Sequence, residues 1–301
     1  MQQIQWQDRF CIGVEEIDQA HHKLFTIVDK ILDLYVEKHE DKFACVEGIK
    51  YFKAYAIQHF AQEEAYMRQI GYPGYLAHKQ IHDRMKKETL PALERALYAS
   101  NFSIEAVQRF IGVCIGWLTG HIVIEDRAIT GTNAGEFPRV QLDDEASVVQ
   151  GIILYPLREM FDTSAQWIGA FSPRDTIVDG QYYELVYRAR QEKGLRIILV
   201  IGEPLLLRAA GRMFGIEFYA RNEIVRFAMQ EIVQNVVQRA AVSFGKAPNL
   251  YQLERDRFFE REEFLQLFQE QPPQYSLLFR VEEACFALCI DLLPAPDSPA
   301  V

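Results

Sequence analysis

Residues 59–82 read HFAQEEAYMRQIGYPGYLAHKQIH, and this stretch carries most of the information about the architecture of the first half of the chain. His59 and Glu63 are four residues apart, and so are His78 and His82. Side chains four residues apart on an α-helix lie on one face, about one turn from each other. Gly71-Tyr72-Pro73-Gly74 separates the two pairs and is typical of a break between helices. The stretch therefore predicts two successive helices that each present two metal-ligating side chains.

Two more helical segments flank this pair. Apolar residues follow helical spacing over residues 18–37, and the two central helices are predicted over residues 45–70 and 75–100. Ser103 is a candidate N-cap for a fourth helix that continues to about residue 128. Four long helices with short connections predict an up-and-down bundle.

The histidines are confined to this predicted bundle. All seven lie within the first 121 residues, and the last 180 residues contain none. His22 and His39 are interpreted as solvated surface residues. The other five histidines and two carboxylates form a candidate ligand set: His21, His59, Glu63, His78, His82, His121 and Asp126.

Seven donors exceed the six that one octahedral ion accepts, so the set favours two iron ions with bridging carboxylates. His121 and Asp126 are five residues apart, and an α-helix would place them about 140° apart. This pair therefore converges less obviously than the others.

The second half has a different character. Residues 131–147 lose helical periodicity, contain glycine, proline and an acidic run, and are predicted to be a linker. An amphipathic helix is predicted over 148–168, helices over 204–214 and 222–244, and two strand pairs over 182–190 with 196–201 and 275–281 with 284–292. The prediction is a multidomain chain: an all-α bundle over 1–130 and an α+β domain over 148–301.

Composition narrows the class of function. A length of 301 residues suggests two domains, and five scattered cysteines without a Cys-x-x-Cys pair disfavour disulfides and zinc. A formal charge of −10 argues against nucleic acid or an anionic membrane as a partner. No signal peptide or transmembrane run is recognised, so a cytoplasmic location is expected.

The first 130 residues resemble the bacterial form of the hemerythrin family. The resemblance rests on His21-x-x-Leu24, on His59-Phe60-x-x-Glu63-Glu64-x-x-Met67, on His78-x-x-x-His82 and on Trp117-Leu118-x-x-His121-Ile122-x-x-x-Asp126. It implies a four-helix bundle with an oxo- or hydroxo-bridged diiron centre that binds dioxygen. One iron would be held by His78, His82 and His121, the other by His21 and His59, with Glu63 and Asp126 bridging. Trp117 and Leu118 resemble the apolar lining of the dioxygen pocket.

Residues 203–245 resemble the CheX/CheC-type chemotaxis phosphatases. In that family an acid and an amide three residues apart, on one exposed helix face, remove phosphate from an aspartyl-phosphorylated response regulator. Glu231 matches the acid, Gln234 stands where the family has Asn, and Asn235 lies beside it. The resemblance implies a CheY-like partner and a homodimer formed through this domain, and a domain kept only for docking or dimerisation is the alternative.

The leading hypothesis is an oxygen or redox sensor whose CheX-like domain docks on a CheY-like regulator, with dephosphorylation of that regulator as its candidate activity. The first alternative is an oxygen storage or carrier protein with a non-catalytic dimerisation domain. The second is a diiron enzyme, although five histidines and few carboxylates favour reversible binding over oxygen activation.

Overall fold

A computed structural model describes residues 4–33, 42–131, 165–173, 180–189, 194–243 and 252–294. The chain divides into two compact units. One contains residues 1–136 together with Ala210–Asn235, and the other contains residues 137–209 together with 236–301. The predicted domain boundary at 131–147 stays a prediction, because almost all of that segment lies outside the described residues, as does His39.

Four long helices form the first part of the chain. Helix α1 spans Glu15–Ile31 and α2 spans Lys42–Gln69. Helix α3 comprises Tyr75–Arg84, a π-helical turn over Met85–Thr89, and Leu90–Ala99. Helix α4 comprises Ile104–Gly120, a π-helical turn over His121–Asp126, and Arg127–Ile129. The all-α prediction for this region is confirmed.

Local sequence explains where these helices begin and end. The Ser103 hydroxyl accepts a hydrogen bond from the Ala106 N–H at 3.3 Å, as expected of an N-cap. Gly71, two residues past the end of α2, takes a positive φ of 66°, which is the left-handed conformation that glycine adopts at low cost. Ser103 therefore marks the start of α4, and Gly71 marks the break after α2.

Helix α4 is buried almost all round. Every residue from Phe110 to Ile124 is buried, which is unusual for a helix of a small bundle. Among the described residues, residues Ile104–Ile129 form one helix long and apolar enough to cross a membrane, and 89% of its most apolar window is buried within the structure. Its apolar character is therefore that of a core helix.

The second unit is built on a six-stranded antiparallel sheet. The strands are β1 (Gln166–Ala170), β2 (Gly180–Arg188), β3 (Gly194–Gly202), β4 (Gln252–Phe259), β5 (Tyr275–Val281) and β6 (Ala284–Leu293). Their order in the sheet is β1-β5-β6-β3-β2-β4. Three helices accompany them in sequence: α5 (Glu203–Phe214), α6 (Glu223–Ser243) and α7 (Arg261–Glu270).

One face of the sheet carries an apolar core closed by α7. Phe264 of α7 stacks on Tyr182 of β2 with ring centroids 4.7 Å apart. The same cluster contains Val200 of β3 and Ala287 of β6, which are fully buried. Consecutive residues of β2 and β3 are buried, so both faces of these central strands are covered, as expected of strands with continuous apolar runs.

Both predicted strand pairs are confirmed. Strands β2 and β3 pair antiparallel, with Leu185 opposite Ile197, and β5 and β6 pair antiparallel, with Phe279 opposite Phe286. The prediction of a helix over 148–168 is wrong at its end, because β1 begins at Gln166 and pairs with β5. The rest of that predicted helix, up to residue 164, lies outside the described residues.

Candidate metal centre

Each of the four helices contributes to one buried cluster of metal-ligating side chains. His21 lies on α1, His59 and Glu63 on α2, His78 and His82 on α3, and His121 and Asp126 on α4. All seven are at most 3% exposed. His22, the neighbour of His21, is exposed, as predicted.

The cluster divides into two groups that share one carboxylate. Ligand atoms of Glu63, His78, His82 and His121 lie within 4.8 Å of one another, and so do those of His21, His59 and Glu63. Glu63 Oε1 is 3.0 Å from His78 Nε2, and Glu63 Oε2 is 3.4 Å from His59 Nε2. The carboxylate of Glu63 therefore reaches both groups, which suits a bridging ligand between two ions.

Asp126 spans the same two groups from the opposite helix. Its Oδ1 is 3.0 Å from His121 Nε2 and 3.3 Å from His78 Nε2. Its Oδ2 is 3.3 Å from His21 Nε2. One oxygen thus faces the three-histidine group and the other faces the two-histidine group.

A π-helical turn brings His121 and Asp126 together. The turn spans six residues, and its first and last residues are the predicted ligands His121 and Asp126. A π-helix has i→i+5 hydrogen bonds, so residues five apart fall on the same side. This local widening removes the angular mismatch that an α-helix would impose on the pair.

The electrostatics of the cluster favour the metal-binding forms of two rings. Burial lowers the pKa of His59 and of His82 well below the ordinary value, so both imidazoles are neutral at pH 7. Burial opposes ionisation of Asp126, but His121, His21 and His78 hold the pKa of its carboxyl well below the usual range. A neutral imidazole and an ionised carboxylate are the ligand forms that bind cations.

The same cluster contains buried polar atoms that need a partner. Both carboxylate oxygens of Glu63 and of Asp126, together with Nε2 of His21 and of His78, form no hydrogen bond within the described residues. They lie 3.0–3.3 Å from imidazole or carboxylate atoms of neighbouring predicted ligands. Buried polar atoms are normally satisfied, and buried carboxylates cost free energy unless a cation compensates them. The donor set therefore fits a pair of metal ions.

Glu64, beside the cluster, is a functional candidate that the sequence analysis did not single out. This residue is 7% exposed, and its Oε1 lies 3.3 Å from His82 Nδ1 and 3.1 Å from Lys86 Nζ. A carboxylate that accepts from the outer nitrogen of a ligating histidine fixes the tautomer and the orientation of that ring. A glutamate next to a predicted ligand, with a lysine four residues after His82, is too common a pattern on helices to have indicated this role.

Aromatic rings close the cluster on the side of the three-histidine group. Trp117 stacks on His121 with centroids 4.3 Å apart, and Phe60 stacks on His82 at the same distance. Trp117 and Leu118 are 6% and 2% exposed. The two predicted lining residues are thus buried, and Trp117 is in direct contact with a predicted ligand.

The predicted acid–amide pair lies on α6, which carries none of the seven predicted ligands. Gln234 is 7% exposed and Glu231 is half-buried, so neither stands on an open helix face. The side chain of Asn235 lies outside the described part of the chain. The burial of Gln234 and Glu231 thus differs from the exposed arrangement that the CheX/CheC resemblance implies.

The four helices, with two histidine groups joined by buried carboxylates, place this region among the metal-binding four-helix bundles. The family model for the hemerythrin HHE cation binding domain matches residues 12–131. The bacteriohemerythrin of Clostridium acetobutylicum is 34% identical over 128 residues, which are 40% of this chain and 95% of that protein. That of Stenotrophomonas maltophilia is 32% identical over 124 residues, 41% of this chain and 76% of that protein. Through this region the chain belongs to the hemerythrin family.

Solved structures of chemotaxis proteins resemble the other part of the chain. The CheX–CheY complex from Borrelia burgdorferi matches 50% of this chain and 92% of that chain, with 12% identity and a TM-score of 0.36. CheX from Vibrio vulnificus matches 48% of this chain and 97% of that chain, with 13% identity and the same TM-score. The α+β class of this part follows from its described sheet and helices.

Proposed function

We propose that the bundle holds a diiron centre that binds dioxygen. His78, His82 and His121 would hold one iron, His21 and His59 the other, and Glu63 and Asp126 would bridge them. The observation that best supports two ions is that the two buried ligand groups share Glu63 and that Asp126 reaches both of them. Iron held by this donor set would supply the reversible redox chemistry that dioxygen binding needs.

The chain's own residues would keep the pocket dry. Trp117, Leu118 and Phe60 are buried. The rings of Trp117 and Phe60 stack on the predicted ligands His121 and His82. An apolar shell controls solvent access and therefore the rate at which a bound oxidant is lost to water. Five imidazoles and only two carboxylates favour reversible binding over oxygen activation.

Spectroscopy of the reduced protein tests this function. Anaerobically reduced protein mixed with dioxygen should develop a visible absorption band that disappears under vacuum and returns in air. Immediate irreversible oxidation would instead favour a redox sensor or a diiron enzyme.

Iron content tests the ligand assignment separately. His78→Ala and His82→Ala should each lower the iron content below two per chain, because each removes a buried donor of the three-histidine group. His22→Ala is the matched control, since its side chain is exposed one residue from His21. Unchanged iron in the His78 and His82 variants would refute the assignment.

We further propose that the bundle is the sensor of a signalling protein, acting in the cytoplasm, whose predicted domain over 148–301 docks on a CheY-like response regulator. Hydrolysis of the regulator's aspartyl phosphate is its candidate reaction: the amide of Gln234 would orient the attacking water, and Glu231 would engage the partner. Glu231→Ala and Gln234→Ala should slow phosphate release from a CheY protein charged with acetyl phosphate, with Gln266→Ala, on the exposed side of α7, as control.

One observation favours a second candidate function, an oxygen store or carrier with a non-catalytic dimerisation domain. Gln234 is buried and replaces the family's Asn with a longer side chain. Under this alternative the wild type gives no acceleration of phosphate release, and sedimentation shows a dimer. Oxygen-dependent regulator binding would favour the sensor instead.

A further inference from the structure

The outer side of α4 is covered by a segment that lies about one hundred residues further along the chain. Residues Ala210–Asn235, which contain the end of α5 and most of the described part of α6, belong to the same compact unit as the bundle. A bundle helix normally keeps a polar face toward water. The uniform burial of α4 from Phe110 to Ile124 instead requires a covering element. Helix α6 supplies it, because the backbone at Ile224 and Ala228 lies against Gly112 and Gly116.

Two glycines let the backbones of α4 and α6 touch. A Cβ added to Gly112 would lie 2.5 Å from the Ile224 carbonyl oxygen, and one added to Gly116 would lie 2.6 Å from that of Ala228. Gly112 and Gly116 are four residues apart, as are Ile224 and Ala228, so one turn of each helix faces one turn of the other. The Gly112–Gly116 notch therefore admits no side chain larger than hydrogen while α6 is in place.

Side chains on both flanks extend this contact. Arg109 of α4 lies with its guanidinium carbon 4.9 Å from the centre of the Phe227 ring of α6. The N-terminal segment of the chain holds the preceding helix: the Gln5 N–H donates to the Phe214 carbonyl at 2.9 Å, and Gln7 Nε2 donates to the Arg212 carbonyl at 2.7 Å. The segment 210–235 is thus anchored at its beginning and along α6.

The acid–amide pair lies on the stripe of α6 that faces α4. Phe227, Glu231 and Gln234 follow one another at spacings of four and three residues, which places them along one side of the helix. Glu231 is close enough to the buried Cys114 of α4 to contribute, after burial itself, to raising the pKa of that thiol. The face that would have to meet a partner is therefore turned toward the bundle.

A short path joins this contact to the metal centre. Trp117 follows Gly116 in sequence and stacks on the His121 ring at 4.3 Å. Any displacement of the His121 ring on ligand binding would press on Trp117, and hence on the turn of α4 that contacts Ala228. Close packing transmits such displacements because it leaves no free volume to absorb them.

We propose that α4 is an intramolecular docking surface for the acid–amide stripe of α6, and that the ligand state of the metal centre sets the fraction of molecules in which α6 is docked. Docking withholds Glu231 and Gln234 from a response regulator, and release presents them. The inference rests on the proposed signalling function and names the contact through which it is regulated.

Hydrogen–deuterium exchange on the full iron-loaded chain tests the docking. Gly116→Ala places a methyl group against the Ala228 backbone, so peptides from residues 223–235 should exchange about tenfold faster. Gly48→Ala is the matched control, because its added methyl meets only the flexible Ile31 side chain. Both variants should keep their iron. Unchanged exchange in Gly116→Ala would overturn the proposal.

Phe227→Ala provides a second test should Gly116→Ala not fold. It removes the ring that contacts Arg109 and leaves the glycine notch intact, and faster exchange over residues 223–235 is again expected. In the wild type, admission of air to the anaerobic reduced protein should change this exchange by about threefold or more. Equal exchange before and after air would overturn the link to the metal centre.

A phosphatase assay separates failure of this inference from failure of the proposed function. With a CheY protein charged by acetyl phosphate, faster exchange and faster hydrolysis in Gly116→Ala support both. Faster exchange without hydrolysis in either protein refutes the phosphatase and leaves the docking in place. Equal hydrolysis in both proteins, despite a released helix, refutes the withholding of Glu231 and Gln234.

Discussion

At the scale of single residues, Glu64 offers the sharpest test of the metal centre, because it touches a predicted ligand without belonging to the set. Its carboxylate lies 3.3 Å from His82 Nδ1. Glu64→Gln should weaken iron retention about 10- to 100-fold, because a neutral amide holds the imidazole less firmly than a carboxylate does. Competition with a ferrous chelator measures this change.

Glu94→Gln is the matched control for Glu64→Gln. Glu94 is a partly exposed glutamate paired with Lys53, and both lie outside the ligand set. Its loss should leave the chelator titration of the wild type unchanged. Equal retention in the two variants would show that Glu64 does not position His82.

The cysteines give a pH-dependent prediction. Burial raises the pKa of Cys45 to about 11 and the pKa of Cys114 well above its ordinary value, whereas Cys11 is exposed. The thiolate is the reactive form, so at pH 8 only about one Cys45 thiol in a thousand is ionised. Iodoacetamide followed by mass spectrometry should modify Cys11 first, and labelling of Cys45 should rise as the pH approaches 11.

Denaturant removes both causes of this protection, the burial and the raised pKa, at once. All five cysteines should react alike in guanidinium chloride at pH 8, because unfolding removes both the burial and the raised pKa. Rapid labelling of Cys45 in the folded protein would contradict the packing of α2.

The predicted ligand residues could be read from the sequence because their chemistry is rare and their spacing is regular. Five histidines and two carboxylates recur on successive helical segments, so a pattern search finds them. Glu64 could not be found in this way, since a glutamate on a helix is usually solvated. Only the fold shows that it lies against His82 and is 7% exposed.

At the scale of secondary-structure elements, the π-helical turn of α4 is what reconciles sequence and site. The five-residue separation of His121 and Asp126 counted against their convergence on an α-helix. The observed turn spans that interval and aligns the two side chains. A five-residue ligand spacing at a helix end is therefore itself a signal for a π-helical turn, and π-helical turns are frequent at functional sites.

The N-cap of α4 supports a stability prediction. Ser103→Ala removes the acceptor for the Ala106 N–H and should lower the free energy of unfolding by about 1 kcal/mol. Ser103→Asp should keep most of that stability, because a carboxylate also caps and interacts favourably with the helix dipole. Chemical denaturation of the metal-free protein measures both, and equal stability of the alanine and aspartate variants would contradict the capping role.

Elements with weak patterns were the ones that the sequence did not reveal. Strand β4 is an edge strand with several charged residues and a mostly half-exposed face, so it lacks a clear apolar alternation. Helix α7 has ten residues and a single fully buried side chain, Phe264. Strands β2, β3, β5 and β6 were predictable because central strands carry continuous apolar runs.

At the scale of the whole molecule, the grouping of residues 210–235 with the bundle was beyond the reach of sequence patterns. The contact depends on Gly112 and Gly116, whose meaning appears only once Ile224 and Ala228 are seen against them. The uninterrupted apolar character of α4 was the available clue. A helix that is apolar all round implies burial on every side, but the sequence does not say by which segment.

This covering predicts the behaviour of the isolated bundle. A fragment of residues 1–131 lacks the segment that covers Gly112 and Gly116, so it should bind the dye ANS several-fold more strongly than the full chain and should self-associate. A synthetic peptide of residues 210–235 should reverse both effects when added in excess, because it restores the contacts of Ile224, Phe227 and Ala228 with α4. ANS fluorescence and sedimentation velocity give the two measurements.

The sequence of the peptide supplies the control that decides between specific docking and general screening of an apolar surface. A scrambled peptide of the same composition buries similar side chains but cannot set a turn of small and apolar residues against the Gly112–Gly116 notch. The scrambled peptide should leave the ANS signal and the self-association of the fragment unchanged. A peptide with Ala228→Leu should also leave both unchanged, since the notch leaves no room beside the Ala228 backbone. Equal rescue by all three peptides, or a fragment that is monomeric and free of dye, would show that α4 does not depend on residues 210–235.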